Sequence, residues 1–367
     1  MTELIHGEPS WSLSHDRVRL RVSCRGGHLA PVEFQLGERT VSPYALAPWT
    51  RDEVDGTLPE LLKVLRGDFI CFPFGGQTDA PPHGASANGE WKVVAGGTEI
   101  LHLGLDDPDS GAWVEKLLSL REGETVIYCE HRITGADGRY SYGNHPIIDF
   151  TGMTEGEGRV SISPFRWGSV YTGVFSNPLH REYQALKQGA EFTDLRAVPL
   201  ANGGTADLTH YPARQGFEDL VMMASEPATA DQPFAWSAVV LDGYVWFSLK
   251  NPADFPCTIF WISNGGRHGE PWNGRHLGRL GVEEVCSHFA DGVDVSRMDP
   301  LRDHGIPTTR EFVRSETVSL RFTQAVAAVP EDFGTVVSIV PAGPGKVKIT
   351  GDSGKSVETS IDWNFVL

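Results

Sequence analysis

Two glutamates stand side by side in the stretch GRLGVEEVCSHFADG, residues 278–292, inside a run that otherwise reads as a buried strand. Successive strand side chains point to opposite faces, so Glu283 and Glu284 cannot face the same way. Glu284 shares its face with Leu280, Val282 and Cys286 and needs a partner, such as an arginine, to tolerate burial there. Glu283 shares its face with Gly281 and Ser287, small residues that leave room for a ligand. Three other stretches set ionisable groups beside Gly, Pro and Trp at the ends of strand-like runs: RGDFICFPFGG (66–76), PPHGASANGEW (81–91) and GNHPIIDF (143–150). A fourth, WISNGGRHGEPWNGRHLGRLGVEEV (261–285), leads into the two acids. A partly desolvated glutamate and a histidine titrating near neutrality suit general base and general acid, each proton transfer contributing about 10²–10⁴-fold. Tryptophan beside polar groups suits a sugar, whose apolar face stacks on a ring while its hydroxyls need fixed partners; Trp91, Trp261 and Trp272 all lie in these stretches.

The elements that must position these groups are strands nearly throughout. Short alternating or β-branched runs recur, among them VRLRVSC, TVIYCEHRI, FAWSAVV, YVWFSLK, CTIFWIS and KVKIT, separated by turn signals such as GADG, LDGY and GDSG. One helix is expected over Thr57–Leu65, with Thr57 as N-cap and Leu58, Leu61, Leu62 and Leu65 as its apolar stripe. Residues 294–309 are a weak candidate boundary, yet the chain beyond them still reads as strands, and the tail SIDWNFVL alternates Trp363, Phe365 and Leu367. The expected architecture is all-β, a large antiparallel β-sandwich forming one domain over residues 1–367.

The 367 residues suffice for a large core. A net charge of −17 argues against nucleic acid or an anionic membrane surface as partner. The start lacks a basic segment followed by an apolar one, and no apolar run approaches the ~20 residues of a membrane span, so a cytoplasmic protein is expected. The five cysteines are odd in number, far apart and without metal-binding spacing, and read as reduced, mostly buried thiols. A metal-dependent site is disfavoured, because no strand carries a close histidine pair with a suitably spaced acid.

Taken in order, HGASANGEW, GNHPIIDF and LGVEEV resemble the three signature regions of the aldose 1-epimerase (galactose mutarotase-like) superfamily, over roughly residues 60–290. The resemblance implies a β-supersandwich that interconverts the anomers of a free aldose, a small-molecule sugar, without cofactor or metal. It puts His83 in the substrate-binding position, His145 at the general acid and Glu283 at the general base. The family's arginine, in an asparagine-arginine motif upstream of the first histidine, has no match here; CFPFGG occupies that region. For the family's substrate-contacting aspartate the candidate is Asp219, in GFEDLV.

Outside the resemblance, the tripeptide GRH occurs at 266–268 and again at 274–276, with Arg279 close behind, a basic island in an acidic chain. Arginine suits bidentate recognition of carboxylate or phosphate, so Arg267 or Arg275 is a candidate to bind an anionic group on the sugar, a uronate or a sugar phosphate. Loop charges balancing Glu270, Glu283 and Glu284 are the plainer reading. Two alternatives to an anomer-interconverting isomerase therefore stand: a sugar-binding or sensing module without catalysis, and an epimerase of an anionic sugar.

Overall fold

The computed structural model describes residues 2–367. Its framework is two facing antiparallel sheets. A nine-stranded sheet runs in the order His210–Tyr211, Gly158–Ile162, Ala235–Leu241, Tyr244–Lys250, Thr317–Ala328, Val126–Thr134, Trp113–Ser119, Ile100–Asp106 and Lys92–Gly96. An eight-stranded sheet is centred on Phe217–Ser225, Cys257–Asn264 and Arg279–Cys286. A five-stranded meander over Glu3–Val41 joins the same core, and a three-stranded sheet, Val336–Pro341, Lys346–Gly351 and Ser356–Ser360, closes the chain. The expected all-β sandwich is the one observed.

Period-2 alternation sorts the eight-stranded sheet into two faces. In Cys257–Asn264, Phe260 and Ile262 join the cluster between the sheets, whereas Cys257, Ile259 and Trp261 join a second cluster on the outer face. Phe217–Ser225 divides in the same way, Val221 and Met223 inward, Leu220, Met222 and Ala224 outward. The outer cluster is roofed by Trp49, Leu61, Leu65, Trp272, Phe289, Leu301 and Ile306, all from connections between strands. Residues 294–309 are therefore packed against this core through Leu301 and Ile306.

The far face of the nine-stranded sheet is also apolar, presenting Tyr128, Trp236, Phe247 and Leu249. The closing sheet covers it with Ile339, Val347 and Ile349, and Ile361 completes the layer.

Two local expectations are corrected. The helix is only Glu60–Lys63, preceded by Pro59. Thr57 does not cap it, because its backbone N–H and its hydroxyl both donate to Asp55 Oδ1, 2.7 Å each, in a local turn that competes with helix formation. The tail is one 3-10 turn, Trp363–Val366, and not a strand. All five cysteines are free thiols, and four of them are buried. Among the described residues, no helix is long and apolar enough to cross a membrane.

Candidate functional site

Glu283 and Glu284 are both buried, 2% and 0% exposed, on opposite faces of the strand Arg279–Cys286. Glu284 points between the sheets. Its Oε1 accepts from the hydroxyls of Ser237 (2.7 Å) and Ser248 (2.9 Å) on the opposite sheet, and its Oε2 from Thr258 (2.8 Å). Lys250 Nζ lies 2.5 Å from Oε2, so the partner that burial demands is a lysine rather than an arginine. Glu283 points to the outer face, into a cavity of about 200 Å³. Gly281 makes the room expected of it: a Cβ there would stand 2.7 Å from Glu283 Oε1. Ser287 does not, since its buried hydroxyl donates to the Phe289 carbonyl away from the cavity.

His145 reaches the same cavity. Its backbone N–H donates to Phe69 O (3.0 Å) and Asp68 Oδ1 (3.1 Å), and Asp68 Oδ2 accepts from Gln324 Nε2 of the facing sheet (2.8 Å). The ring stacks on Phe69 with centroids 4.6 Å apart and meets Trp261 edge-on at 5.6 Å. Its Nε2 stands 3.2 Å from Glu283 Oε1. Burial pushes the Glu283 carboxyl well above the usual range and holds the His145 imidazole well below its own, with His83 adding repulsion to any charge on His145.

His83 lies edge-on to His145, centroids 5.4 Å apart. Its Nδ1 accepts the Gly75 N–H at 3.2 Å, which puts the ring proton on Nε2 as a donor. Burial lowers its pKa to about 4. The histidine-glycine pair has a steric cause, because Gly84 has φ +70° and a Cβ there would lie 2.0 Å from the Phe72 carbonyl oxygen.

Trp261 and Trp272 line the cavity and meet edge-to-face at 5.7 Å. The Arg267 guanidinium lies 4.8 Å from the Phe175 ring, 5.1 Å from Trp272 and 5.9 Å from Trp261. Its Nε is buried without a hydrogen bond, and the nearest carboxylate, Glu182, is 3.8 Å away.

Of the eight predicted site residues, six line the cavity: Glu283, His145, His83, Arg267, Trp261 and Trp272. Arg275 does not; it is exposed, 3.5 Å from Glu53 and stacked over Trp49. Asp219 does not either. It faces between the sheets, where its Oδ1 accepts the backbone N–H groups of Ala185 and Leu186 at 3.1 and 2.9 Å. The neighbouring Glu218 occupies the site face and was missed. Trp261 Nε1 donates to its Oε2 (3.2 Å), while Ser263 Oγ (2.9 Å) and the Gly266 N–H (3.2 Å) donate to its Oε1. Burial raises its pKa to about 7, against the pull of Arg267. The signal was available: Glu218 is in phase with Leu220 and Met222 of the outer face. The upstream Arg66 is buried and structural, donating to the carbonyls of Ile5, His6 and Val64.

A second hollow, of about 280 Å³ near Phe150 and Leu277, has Glu155 as its single ionisable lining residue and brings no acid–base pair together.

No protein-family model matches the chain, and no curated protein matches it by sequence. Solved structures do match. A candidate aldose 1-epimerase from Klebsiella pneumoniae aligns over 89% of this chain and 82% of its own, with a TM-score of 0.59 at 13% identity. A candidate aldose 1-epimerase from Escherichia coli aligns over 87% and 99%, with a TM-score of 0.57 at 14% identity. A galactose mutarotase-related enzyme from Lactobacillus acidophilus aligns over 87% and 97%, with a TM-score of 0.55 at 11% identity. The chain thus has the galactose mutarotase-like fold. At these identities the likeness speaks for the fold, and the chemistry rests on the site.

Proposed function

We propose that the protein interconverts the anomers of a small aldose or aldose derivative by opening and reclosing its hemiacetal ring. The observation that carries this reading is the 3.2 Å separation of His145 Nε2 and Glu283 Oε1 within an aromatic-walled cavity. The anomeric hydroxyl and the ring oxygen hang on one carbon, so an acid and a base a hydrogen bond apart can serve both. Burial favours the uncharged forms, so Glu283 holds the one proton shared across the Oε1–Nε2 contact while the neutral imidazole keeps its own on Nδ1. Passing it to His145 creates the carboxylate base and the imidazolium acid together, with no change in net charge. Glu283 then takes the proton of the anomeric hydroxyl as His145 protonates the ring oxygen. The C1–O bond to the ring breaks, C1 turns, and reclosure on the other face returns both protons. His83 Nε2–H donates to a sugar hydroxyl, and Trp261 and Trp272 pack against the apolar face of the ring.

An anionic sugar is the second reading, favoured by Arg267, whose Nε has no partner inside the cavity wall. Anomeric exchange across a panel of neutral and acidic sugars, followed by NMR, tests both. Glu283→Gln is expected to lose about 10²–10⁴-fold in rate while still binding sugar. Binding without acceleration of any sugar supports a sensing module instead. Acceleration that survives Glu283→Gln and is lost in Glu284→Gln would show that Glu284, and not Glu283, is the base.

A further inference from the structure

The cavity is small and mostly carbon. At about 200 Å³ it falls below the roughly 300–1,000 Å³ of drug-sized ligand sites, so its occupant is of monosaccharide size. Its hydrogen-bonding side chains are His83, His145, Glu283 and Arg267, with the Trp272 indole at the wall; no serine, threonine, asparagine, glutamine or tyrosine lines it among the described residues. The remaining walls are Leu61, Leu62, Leu65, Pro82, Phe175 and Ala290, over a floor of Phe69 and Leu220. Five of the lining carbonyls are already engaged. The carbonyls of Leu62, Leu65, Phe69, Leu220 and Ala290 accept from Trp49 Nε1 and from the N–H groups of Ala47, His145, Tyr171 and Gly76. The Trp261 indole N–H is likewise taken, by Glu218.

A hexopyranose brings five hydroxyls and a ring oxygen. Two of these polar atoms go to the acid–base pair, and His83, Arg267 and the Trp272 indole N–H can hold about three more, which matches a sugar with one hydroxyl fewer. A hydroxyl left against leucine or phenylalanine gives up its water without replacement.

We infer that the substrate is a deoxyaldose, a sugar carrying a methyl or methylene where a hexose carries a hydroxyl, and that the wall around Leu62 selects it. This rests on the anomeric chemistry proposed above and narrows its substrate class. Arg267 then serves as a forked donor to neighbouring hydroxyls. Leu62 is only half-buried and contributes to catalysis by no polar atom, so it can be replaced without disturbing the acid–base pair.

The test compares D-glucose with 6-deoxy-D-glucose and 2-deoxy-D-glucose, D-galactose with 6-deoxy-D-galactose, and adds D-glucose 6-phosphate. Anomeric exchange is read by NMR and affinity by calorimetry, on the full chain. The expected result is that at least one deoxy sugar exceeds its parent about 10- to 100-fold in kcat/KM and binds correspondingly tighter. Leu62→Asn should reduce that preference to about threefold or less, whereas Leu62→Met should keep it. Equal or better use of the parent hexoses overturns the inference, as does preference for the 6-phosphate or the absence of binding by every sugar. If no exchange is accelerated but the deoxy sugars still bind more tightly, the reaction reading fails and the specificity inference stands.

Discussion

Glu283 and Glu284 carry the same functional group one position apart, and their surroundings give them opposite work. Glu284 accepts three hydroxyl hydrogen bonds and faces a lysine; Glu283 faces a histidine and a cavity. The raised pKa of Glu283 has a stability consequence. Its folded-state value exceeds the unfolded one, so the native state binds more protons between the two, and the associated stability is lost as pH rises from ~4.3 through the folded value. Glu283→Gln should therefore be about 0.5–2 kcal/mol more stable than the wild type at pH 8, the difference shrinking toward pH 4. Urea unfolding at the two pH values measures it, and a constant difference would contradict the linkage. The two GRH repeats separate at the same scale. Arg267→Ala should weaken sugar binding about 10-fold or more through loss of a charged donor, and Arg275→Ala should stay within about twofold. Titration calorimetry on each variant decides this.

At the scale of elements, the site is held by the alternation of three central strands together with the contacts that cross the sandwich. The ion pair Glu284–Lys250 ties the site-bearing sheet to the nine-stranded one directly behind the proposed base. Removing one partner leaves a buried charge unpaired, so Lys250→Met should cost about 3–5 kcal/mol, while Lys250→Met combined with Glu284→Leu should cost much less than the two single changes added. Chemical denaturation of the four proteins forms the cycle. The roofing connections were harder to anticipate than the strands. Asp55 captures Thr57 and delays the helix to Glu60–Lys63, a competition between a local turn and a helix cap that apolar periodicity does not register. Asp219 and Glu218 show the opposite case, since alternation in phase with Leu220 already distinguishes them, whereas the match of Asp219 to the family's aspartate takes no account of its face.

At the scale of the whole molecule, three apolar layers lie in series: the roofed outer face of the eight-stranded sheet, the core between the sheets, and the layer under the closing C-terminal sheet. The site belongs to the first and the C-terminal sheet to the third, so the two should be separable. Ile349→Ala, in the third layer, should lower stability by about 2–5 kcal/mol through loss of packing and cavity formation. The affinity for sugar at temperatures where the variant is folded should remain that of the wild type. A parallel change in affinity would show that the layers are coupled.

Sequence alone determined the features that depend on local order. The strands come from alternating and β-branched runs, the opposed faces of Glu283 and Glu284 from the two-residue repeat, the choice of Trp261 and Trp272 from chemistry set beside turn residues, and that of His83 and His145 from the family resemblance of their motifs. The tertiary structure decided the features that depend on distant segments meeting. It brought His145 within 3.2 Å of Glu283 across 138 positions of chain, turned Arg267 over the tryptophans while leaving Arg275 outside, and supplied Lys250 to Glu284. It also assembled Leu61, Leu62, Leu65, Phe175 and Ala290 into one carbon wall. The physical reason is that strand periodicity assigns a side chain to a face, whereas its partners on that face come from connections whose paths are set by packing rather than by any repeat in their own residues.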